Sequence, residues 1–226
     1  MSTAELTKTA TVKRLRPNPR GRLGGRRTRQ EQQKADSRIR ILDAVKTVLE
    51  TQPYALLAVE DVIAEAQVSR TTFYRHFDSK FAIFRELYQP FSEALYRVYD
   101  ELARYPDPTV AQMCDWVNLF LDFYRSQKIL VQAFQHIYAI EPDFYPIAET
   151  AIDTISRRLA DRLPAFRQLL SDDAAAMDAK IEGHFLLQDI NYFGHEVVSR
   201  QWGLDTSKAT LILATRIRDF IRAYRA

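Results

Sequence analysis

Apolar residues recur three or four positions apart along most of the chain, which is the spacing of the buried face of an α-helix. No segment alternates apolar and polar residues in the way typical of a half-buried β-strand. The pattern therefore predicts an all-α fold. The expected helices, about nine in total, lie at about 38–52, 59–66, 70–76, 80–105, 110–124, 128–138, 147–163, 174–200 and 206–225.

The first predicted helix has both a start signal and a stop signal. Asp36 or Ser37 can cap its N-terminus, because a short side-chain oxygen accepts a backbone N–H of the first turn. Pro53 ends it, since the residue before a proline disfavours the helical conformation. Its buried face is expected to hold Ile41, Leu42, Val45, Val48 and Leu49.

The segment 67–80, which reads QVSRTTFYRHFDSK, combines a cap with a two-faced short helix. Ser69 is a suitable N-cap, and Phe73 and Phe77 are four residues apart, so they share one helix face. An apolar-faced helix at 59–66 precedes it, and the two together are typical of a helix-turn-helix, whose second helix enters the DNA major groove. The polar face carries Arg70, Thr71, Thr72, Tyr74, Arg75 and His76.

The run VEDVIAEAQVSRTTFYRHFDSKFAIF, within residues 39–88, resembles the N-terminal DNA-binding signature of the TetR family of transcriptional regulators. The resemblance implies a helix-turn-helix DNA-binding domain at 35–79 and a larger helical effector-binding and dimerisation domain at 80–226. It also implies that Lys80, which matches a family lysine, contacts a DNA phosphate. The expected DNA-binding residues are Ser69, Arg70, Thr71, Thr72, Tyr74, Arg75, His76 and Lys80.

The chain departs from the family pattern at two places. The family usually has glycine where Gln67 stands, and a left-handed turn at Gln67 is expected to cost roughly 1 kcal/mol. The family often has threonine near the start of the second helix, where it touches a phosphate. Ala58 and Val59 stand there instead, so that phosphate contact is in question.

The second domain is rich in aromatic residues, and large aromatics at helical spacing most often form ordinary core. The family resemblance implies instead a ligand pocket between these helices, for an apolar or amphipathic small-molecule effector. Gln135, Asp189 or Asn191 would then orient the ligand. The expected effector-binding residues are Trp116, Phe120, Tyr124, Phe134, Gln135, Tyr138, Asp189 and Tyr192.

The last two helices, at about 174–200 and 206–225, are long and amphipathic, with Asp172 or Asp173 as the cap of the first. The resemblance implies that they pair with their twins in a homodimer. A dimer is also expected without the resemblance, because one recognition helix of about seven residues reads few base pairs. Useful specificity therefore requires a two-fold dimer on palindromic DNA.

The net charge of +3 hides an uneven distribution. Residues 1–34 hold ten basic and two acidic side chains, a net of +8, which leaves −5 for the other 192 residues. This segment lacks apolar periodicity and contains five Pro and Gly residues, so we expect a flexible basic arm. Either it only solubilises the chain, or its arginines reach phosphates or the adjacent minor groove, namely Arg20, Arg22, Arg26, Arg27 and Arg29.

Several classes of protein are disfavoured. Cys114 is the only cysteine, which precludes an intramolecular disulfide and fits a reducing cytoplasm, and no apolar run is long enough to cross a membrane. We find no phosphate-binding glycine loop, paired-cysteine motif or serine nucleophile elbow, so we expect neither an enzyme nor a cofactor. His136, Glu141 and Asp143 bracket a loop, where ordinary roles are favoured over a metal or effector contact.

Two functional hypotheses follow. In the first, the chain is a bacterial, nucleoid-associated repressor that binds a palindromic operator as a dimer and is released by a small effector. In the second, it is an architectural DNA-binding protein without an effector, whose C-terminal half only dimerises and has a filled core.

Overall fold

The computed structural model describes residues 20–199 and 203–225, with side chains described from Thr28 onward. Within those residues the chain forms ten α-helices and no strand, which confirms the all-α prediction. The helices are α1 (Arg20–Leu49), α2 (Val59–Ala66), α3 (Arg70–Tyr74), α4 (Lys80–Leu102), α5 (Val110–Ser126), α6 (Lys128–Ile140), α7 (Tyr145–Ala160), α8 (Pro164–Arg167), α9 (Met177–Ser199) and α10 (Thr206–Ala223).

The helix α8 is the one that the sequence pattern did not separate. Pro164 was expected to terminate the preceding helix, and it instead occupies the first turn of a new four-residue helix. Proline is well suited to that position, because its fixed φ is helical and its missing N–H would have no partner there. Further short 3-10 turns lie at Tyr54–Leu56, Pro142–Phe144, Gln168–Leu170 and Ala174–Ala176.

The start of α1 corrects the predicted boundary. The helix begins at Arg20, not near Arg38, so residues 20–34 of the expected arm are helical, and residues 1–19 lie outside the described residues. Ser37 is buried inside the helix and its hydroxyl donates to the Lys34 carbonyl at 3.0 Å, so it is not a cap. Strong helix formers at 30–34 continue the helix, and Gly24 and Gly25 weaken it by about 1 kcal/mol each without breaking it.

The predicted caps at the starts of α3 and α9 are confirmed, and α4 is capped in the same way. The hydroxyl of Ser69 accepts the Thr72 N–H at 3.1 Å, and the hydroxyl of Ser79 accepts the Ala82 N–H at 3.1 Å. The Asp173 carboxylate caps the 3-10 turn that leads into α9. Local hydrogen bonds of this kind depend on residues three apart, so the sequence pattern located them well.

We call α1, α2, α3 and the turn at 54–57 the head, and α4 to α10 the body. Inside the head, α1 packs on α2, and Ile41, Val45 and Val62 are fully buried. In the body, α5 packs on α10 and α7 packs on α4. One apolar core runs from Ile41 through to Ile221, so the head is joined to the body by packing as well as by the chain.

None of the described helices is both long enough and apolar enough to cross a membrane.

Candidate DNA-binding surface and effector cavity

The recognition helix α3 is anchored on one side and polar on the other. Phe73 is completely buried and Phe77 is 4% exposed, and their rings lie 6.2 Å apart. Opposite them Arg70, Tyr74 and Arg75 are exposed. A helix that is fixed by aromatic burial and presents donors to solvent has the form needed to enter a DNA groove.

The turn before α3 has the strained geometry that the sequence indicated. Gln67 has φ 49° and ψ 48°, and it is the only non-glycine residue with positive φ in the described part of the chain. Its backbone N–H donates to Ala64 at 3.2 Å, which closes α2. The left-handed conformation of Gln67 therefore sets the angle between α2 and α3, at an energetic cost of about 1 kcal/mol.

Arg70 and Tyr74 form a small ordered patch at the front of α3. The Arg70 guanidinium pairs with Glu60 of α2 at 3.0 Å and lies 5.7 Å from the centroid of the Tyr74 ring. Both charged side chains are more than half exposed, so the pair itself contributes little stability. Its effect is to hold the guanidinium and the phenol ring near each other on the exposed face.

His76, which was predicted to donate to DNA, contacts α1 in this structure. Its Nε2 is 2.8 Å from the hydroxyl of Ser37 in α1, and its Nδ1 is buried with no hydrogen-bond partner in the described structure. Burial, and next the charge of Arg75, lower the pKa of His76 below its usual value. The side chain therefore fixes α1 against the end of α3, and its ring nitrogens are not presented to DNA.

Lys80 is also used inside the protein. Its Nζ donates to the carbonyl oxygens of Tyr54 at 3.3 Å and Leu57 at 3.2 Å, and it lies 4.4 Å from the Tyr54 ring centroid. The lysine was predicted to contact a phosphate, but here the ammonium satisfies the carbonyls of the turn at 54–57. In this structure Lys80 positions the head on the first turn of α4.

The start of α2 lacks a side-chain cap, as expected from Ala58. The Asp61 carboxylate accepts the Ala58 N–H at 3.0 Å and the Gln52 side chain at 3.0 Å. These two hydrogen bonds, the backbone one first, lower the pKa of Asp61. Asp61 thus orders the helix start, while position 58 offers no hydroxyl toward a phosphate.

A cavity of about 550 Å³ lies in the body, enclosed by α4, α5, α6, α7 and α9. Its wall combines aromatic, aliphatic and polar residues, and the exposed side chains of Tyr145, Glu149 and Asp153 are at its edge. The volume is within the range of small-molecule sites. Its aromatic lining residues are Tyr88, Phe91, Tyr124, Phe134, Tyr138, Phe144, Tyr145 and Tyr192.

Five of the eight predicted effector-binding residues line this cavity: Tyr124, Phe134, Gln135, Tyr138 and Tyr192. The other three do not line it. Trp116 donates its ring N–H to the Val98 carbonyl at 2.9 Å, and Phe120 is completely buried against Trp116. Asp189 pairs with Arg216 of α10 at 2.5 Å.

Several lining residues were missed because their faces could not be assigned from spacing. Tyr88 and Phe91 lie on α4, and Phe144 stacks on Phe134 with ring centroids 5.8 Å apart. Asn191, one of the candidate orienting residues, does line the cavity, where its amide oxygen accepts the Tyr124 hydroxyl at 3.0 Å. Phe144 is not among the missed residues, since the aromatic-rich second domain already made it a candidate for the cavity lining.

His195 gives the cavity wall an unusual polar group. Its ring lies edge-on to Tyr124 at 5.4 Å, and its Nδ1 is buried without a hydrogen-bond partner in the described part of the chain. Burial lowers the pKa of His195 to about 4, so the imidazole is neutral at pH 7. A neutral imidazole can exchange a hydrogen bond with a ligand without bringing a charge into the aromatic cavity.

A hydrogen bond next to the cavity wall joins the body to the head. The hydroxyl of Tyr54 donates to the Glu141 carboxylate at 2.5 Å, and Glu141 immediately precedes the turn that carries Phe144. Burial, together with the Glu141 carboxylate, raises the pKa of the Tyr54 hydroxyl. Glu141 was considered for a metal or effector contact, but no group of three or more His, Cys, Asp and Glu side chains in the described residues could hold a metal ion.

The last two helices expose apolar side chains. On α9, Ile181 is 47% exposed and Phe185 is 60% exposed, and they are four residues apart on one face. On α10, Leu211 and Ile212 are more than half exposed. An apolar surface on two neighbouring helices is typical of a protein–protein contact.

Comparisons with known proteins agree with this geometry. Residues 41–87, which span the last turns of α1 to the first turns of α4, match the model of the bacterial regulatory proteins of the tetR family. No curated protein sequence is significantly similar to this chain.

Two solved structures share the fold. A transcriptional regulator of the TerR/AcrR family from Aquifex aeolicus VF5 is 19% identical, with 83% of this chain and 98% of that chain covered at a TM-score of 0.52. The TetR family repressor AlkX from Dietzia sp. strain DQ12-45-1b, implicated in biodegradation of n-alkanes, is 18% identical, with 84% and 97% covered at a TM-score of 0.53.

TetR-family regulators bind DNA and carry no enzymatic activity, in agreement with the sequence prediction. The helix-turn-helix segment of this chain therefore matches the tetR family of bacterial regulatory proteins, and its described helices share the fold of two regulators of that kind.

Proposed function

We propose that the chain is a repressor that binds a palindromic operator as a homodimer and is released by a small amphipathic effector. In this proposal residues 35–79 read the DNA, and residues 80–226 bind the effector and dimerise. The observation that carries it is the combination of an exposed polar recognition helix with an aromatic cavity of about 550 Å³. The protein would act at the nucleoid.

The DNA-reading side chains in this proposal are the exposed ones of α3, with Ser69 and Thr72 at its capped start. Arg70 and Arg75 can donate to guanine edges or phosphates, and Thr71 and Tyr74 add hydrogen bonds and apolar contact. His76 and Lys80 orient the helix from behind instead of contacting the operator.

The experiment is footprinting on the DNA upstream of the protein's own gene, followed by affinity measurements on the protected site. We expect Tyr74→Ala and Arg75→Ala each to weaken operator binding by at least tenfold while the dimer persists. The matched control is Tyr145→Ala, which removes an equally exposed tyrosine from the body. Operator binding unchanged by both α3 substitutions would refute the role of this helix.

The dimer in this proposal forms through 174–200 and 206–225. Its support is the exposed apolar surface of α9 and α10, which a twin subunit would cover. Phe185→Glu is expected to yield monomers in analytical ultracentrifugation, because a charge at the centre of an apolar contact is not compensated. Phe185→Leu is the matched control, and a dimer that survives the Phe185→Glu substitution would place the interface elsewhere.

Effector release is proposed to work through the wall that contacts the head. A ligand that displaces the ring of Phe144 also moves the neighbouring Glu141, and with it the hydrogen bond to Tyr54. Coupling requires the ligand to bind one head position better than the other. The ligand chemistry that fits is an aromatic or alkyl body with one neutral hydrogen-bonding group, placed at His195.

The test of release is a thermal-shift screen with acyl, steroid and aromatic compounds, followed by operator-binding assays with each compound that stabilises the protein. Tyr54→Phe should leave stabilisation by the compound intact and weaken its effect on operator affinity. The cavity favours this proposal over the architectural alternative, for which a filled core was expected. A screen without any stabilising compound would favour that alternative.

A further inference from the structure

The N-terminal part of α1 extends beyond the packed core of the head. Ser37 is the first buried residue of α1, and every described side chain before it, from Thr28 to Asp36, is exposed. The segment from Arg20 to Asp36 is therefore an extension of about 17 residues, or roughly 25 Å at 1.5 Å per residue. A helix of that length needs a partner, because propensity alone stabilises short helices only marginally.

The extension is strongly basic. It contains six basic residues against Glu31 and Asp36, for a net charge of +4. The basic residues are Arg20, Arg22, Arg26, Arg27, Arg29 and Lys34.

The basic positions share one side of the helix. With 100° between successive residues, all six fall within about 100° of the direction of Ser37. The opposite side holds Glu31 and otherwise small or uncharged positions, among them Gly21, Gly24, Thr28, Gln32 and Ala35. A helix solvated on all sides would have no reason to separate its charges in this way.

The shared side is the one that faces the recognition helix. The Ser37 hydroxyl contacts the Nε2 of His76, two residues after the end of α3, at 2.8 Å. Lys34, one turn earlier in α1, is close enough for its charge to act on His76. The basic side of the extension therefore begins next to the surface that carries Arg75.

We infer that residues 20–36 of α1 form a second DNA-contacting element, a helical extension that binds phosphates of the duplex flanking the site read by α3. This inference rests on the proposed DNA-reading role of α3. The partner is double-stranded DNA because the face is cationic, polar and continuous with the recognition surface. Its length matches about seven base pairs at 3.4 Å each.

The helical form of the extension also excludes one mode of contact. An α-helix with side chains is about 10 Å wide, whereas the minor groove of B-DNA is about 6 Å wide. An extended arm can enter that groove, but this helix is too wide for it. We place the helix against the sugar–phosphate backbone, because its basic positions suit phosphate contacts. Its contribution is therefore electrostatic and independent of base sequence.

The experiment measures binding of the full-length protein to a random-sequence 40-base-pair duplex as a function of salt. The variant Arg26→Gln/Arg29→Gln/Lys34→Gln removes three positions of the basic side, and glutamine keeps chain length and helix propensity. Each lost phosphate contact reduces the slope of log K against log salt by about 0.9, so the slope should fall by about 2 to 3.

The matched control removes three exposed arginines of the body, Arg125→Gln/Arg157→Gln/Arg162→Gln. It should leave the slope unchanged, although it alters the net charge by the same amount. A slope that falls equally in both triple variants, or in neither, overturns the inference. A minor-groove ligand such as netropsin should not compete with the extension for DNA. If netropsin did compete with the unchanged protein but not with Arg26→Gln/Arg29→Gln/Lys34→Gln, the inference would also be overturned.

The two proposals fail in different ways. A chain that binds no duplex at any salt concentration refutes the proposed function of α3 as well. A chain that binds its operator through Tyr74 and Arg75 but keeps its salt slope in the first triple variant refutes only the role of the extension.

Discussion

The head and the body are built from the same kind of helix but differ in how completely their interiors are filled. In the head, Phe73, Tyr54 and Ile41 are fully buried, and Ser37 contacts His76 at the edge of this core. In the body, the aromatic rings of α4, α6 and α7 leave a cavity of about 550 Å³. A filled interior holds one geometry for α3, whereas a hollow one can change when a ligand enters it.

The largest difference in stability between the head and the body is expected when a phenylalanine is truncated to alanine in each of them. Phe73→Ala should lower the free energy of unfolding by about 3 to 5 kcal/mol, because it removes a completely buried ring. Phe134→Ala should cost less, since one side of that ring already faces the cavity. Urea denaturation measures the free energy of unfolding of both variants. An equal or larger loss of stability for Phe134→Ala would contradict the view that the head is filled and the body is hollow.

Enlarging a buried side chain should change stability in opposite directions in the two regions, lowering it in the head and raising it in the body. Ala44→Leu in the head inserts atoms into a filled core and should destabilise by about 1 to 3 kcal/mol. Ala148→Leu in the cavity wall should raise Tm, because the added atoms gain packing partners in empty space. Differential scanning calorimetry separates the two results, and a lower Tm for Ala148→Leu would show that the cavity is not available for packing.

Acid should weaken the body through His195. Its folded-state pKa of about 4 lies below the unfolded value of 6.5, so the unfolded chain binds more protons between those values and stability falls as pH decreases. Between pH 7 and pH 5 the expected loss is about 2 kcal/mol. His195→Gln should show a smaller loss in urea titrations at the two pH values, and an unchanged pH dependence would argue against a neutral buried imidazole.

The smallest effect is expected at the strained turn of the head. Gln67→Gly should stabilise the protein by about 1 kcal/mol, because glycine adopts positive φ without the steric penalty that glutamine incurs. Gln127→Gly, at a helix end with negative φ, is the matched control and should not stabilise. Thermal denaturation of both variants is sufficient, and a destabilised Gln67→Gly would mean that the glutamine side chain has a role of its own.

The sequence located the features of the recognition helix that depend on near neighbours. The Ser69 cap, the Phe73 and Phe77 pair and the turn at Gln67 each involve residues within four positions of one another. The predicted start of α1 was wrong, because two glycines and the absence of apolar residues were interpreted as signs of a non-helical arm. Exposed polar helix formers carry the helix to Arg20 without any apolar periodicity.

The residues that line the cavity could be predicted only in part, for a related reason. Tyr124 and Phe120 are four residues apart on α5, yet Tyr124 lines the cavity and Phe120 lies in the solid core. Spacing places both on one side of the helix, and only the position of α9 decides which of them meets empty space. Gly194 of α9 approaches both rings closely, since an added Cβ there would lie 2.7 Å from Phe120 and 2.8 Å from Tyr124.

The sequence by itself determined the helical architecture, the identity of the recognition helix and its polar face, because periodicity and capping act over one or two turns. The tertiary structure alone decided that His76 and Lys80 face inward and that Glu141 receives Tyr54. Their partners are distant in the chain, since the residue numbers of Ser37 and His76 differ by 39 and those of Tyr54 and Glu141 by 87. Such contacts depend on how whole helices pack, and a local pattern does not encode that arrangement.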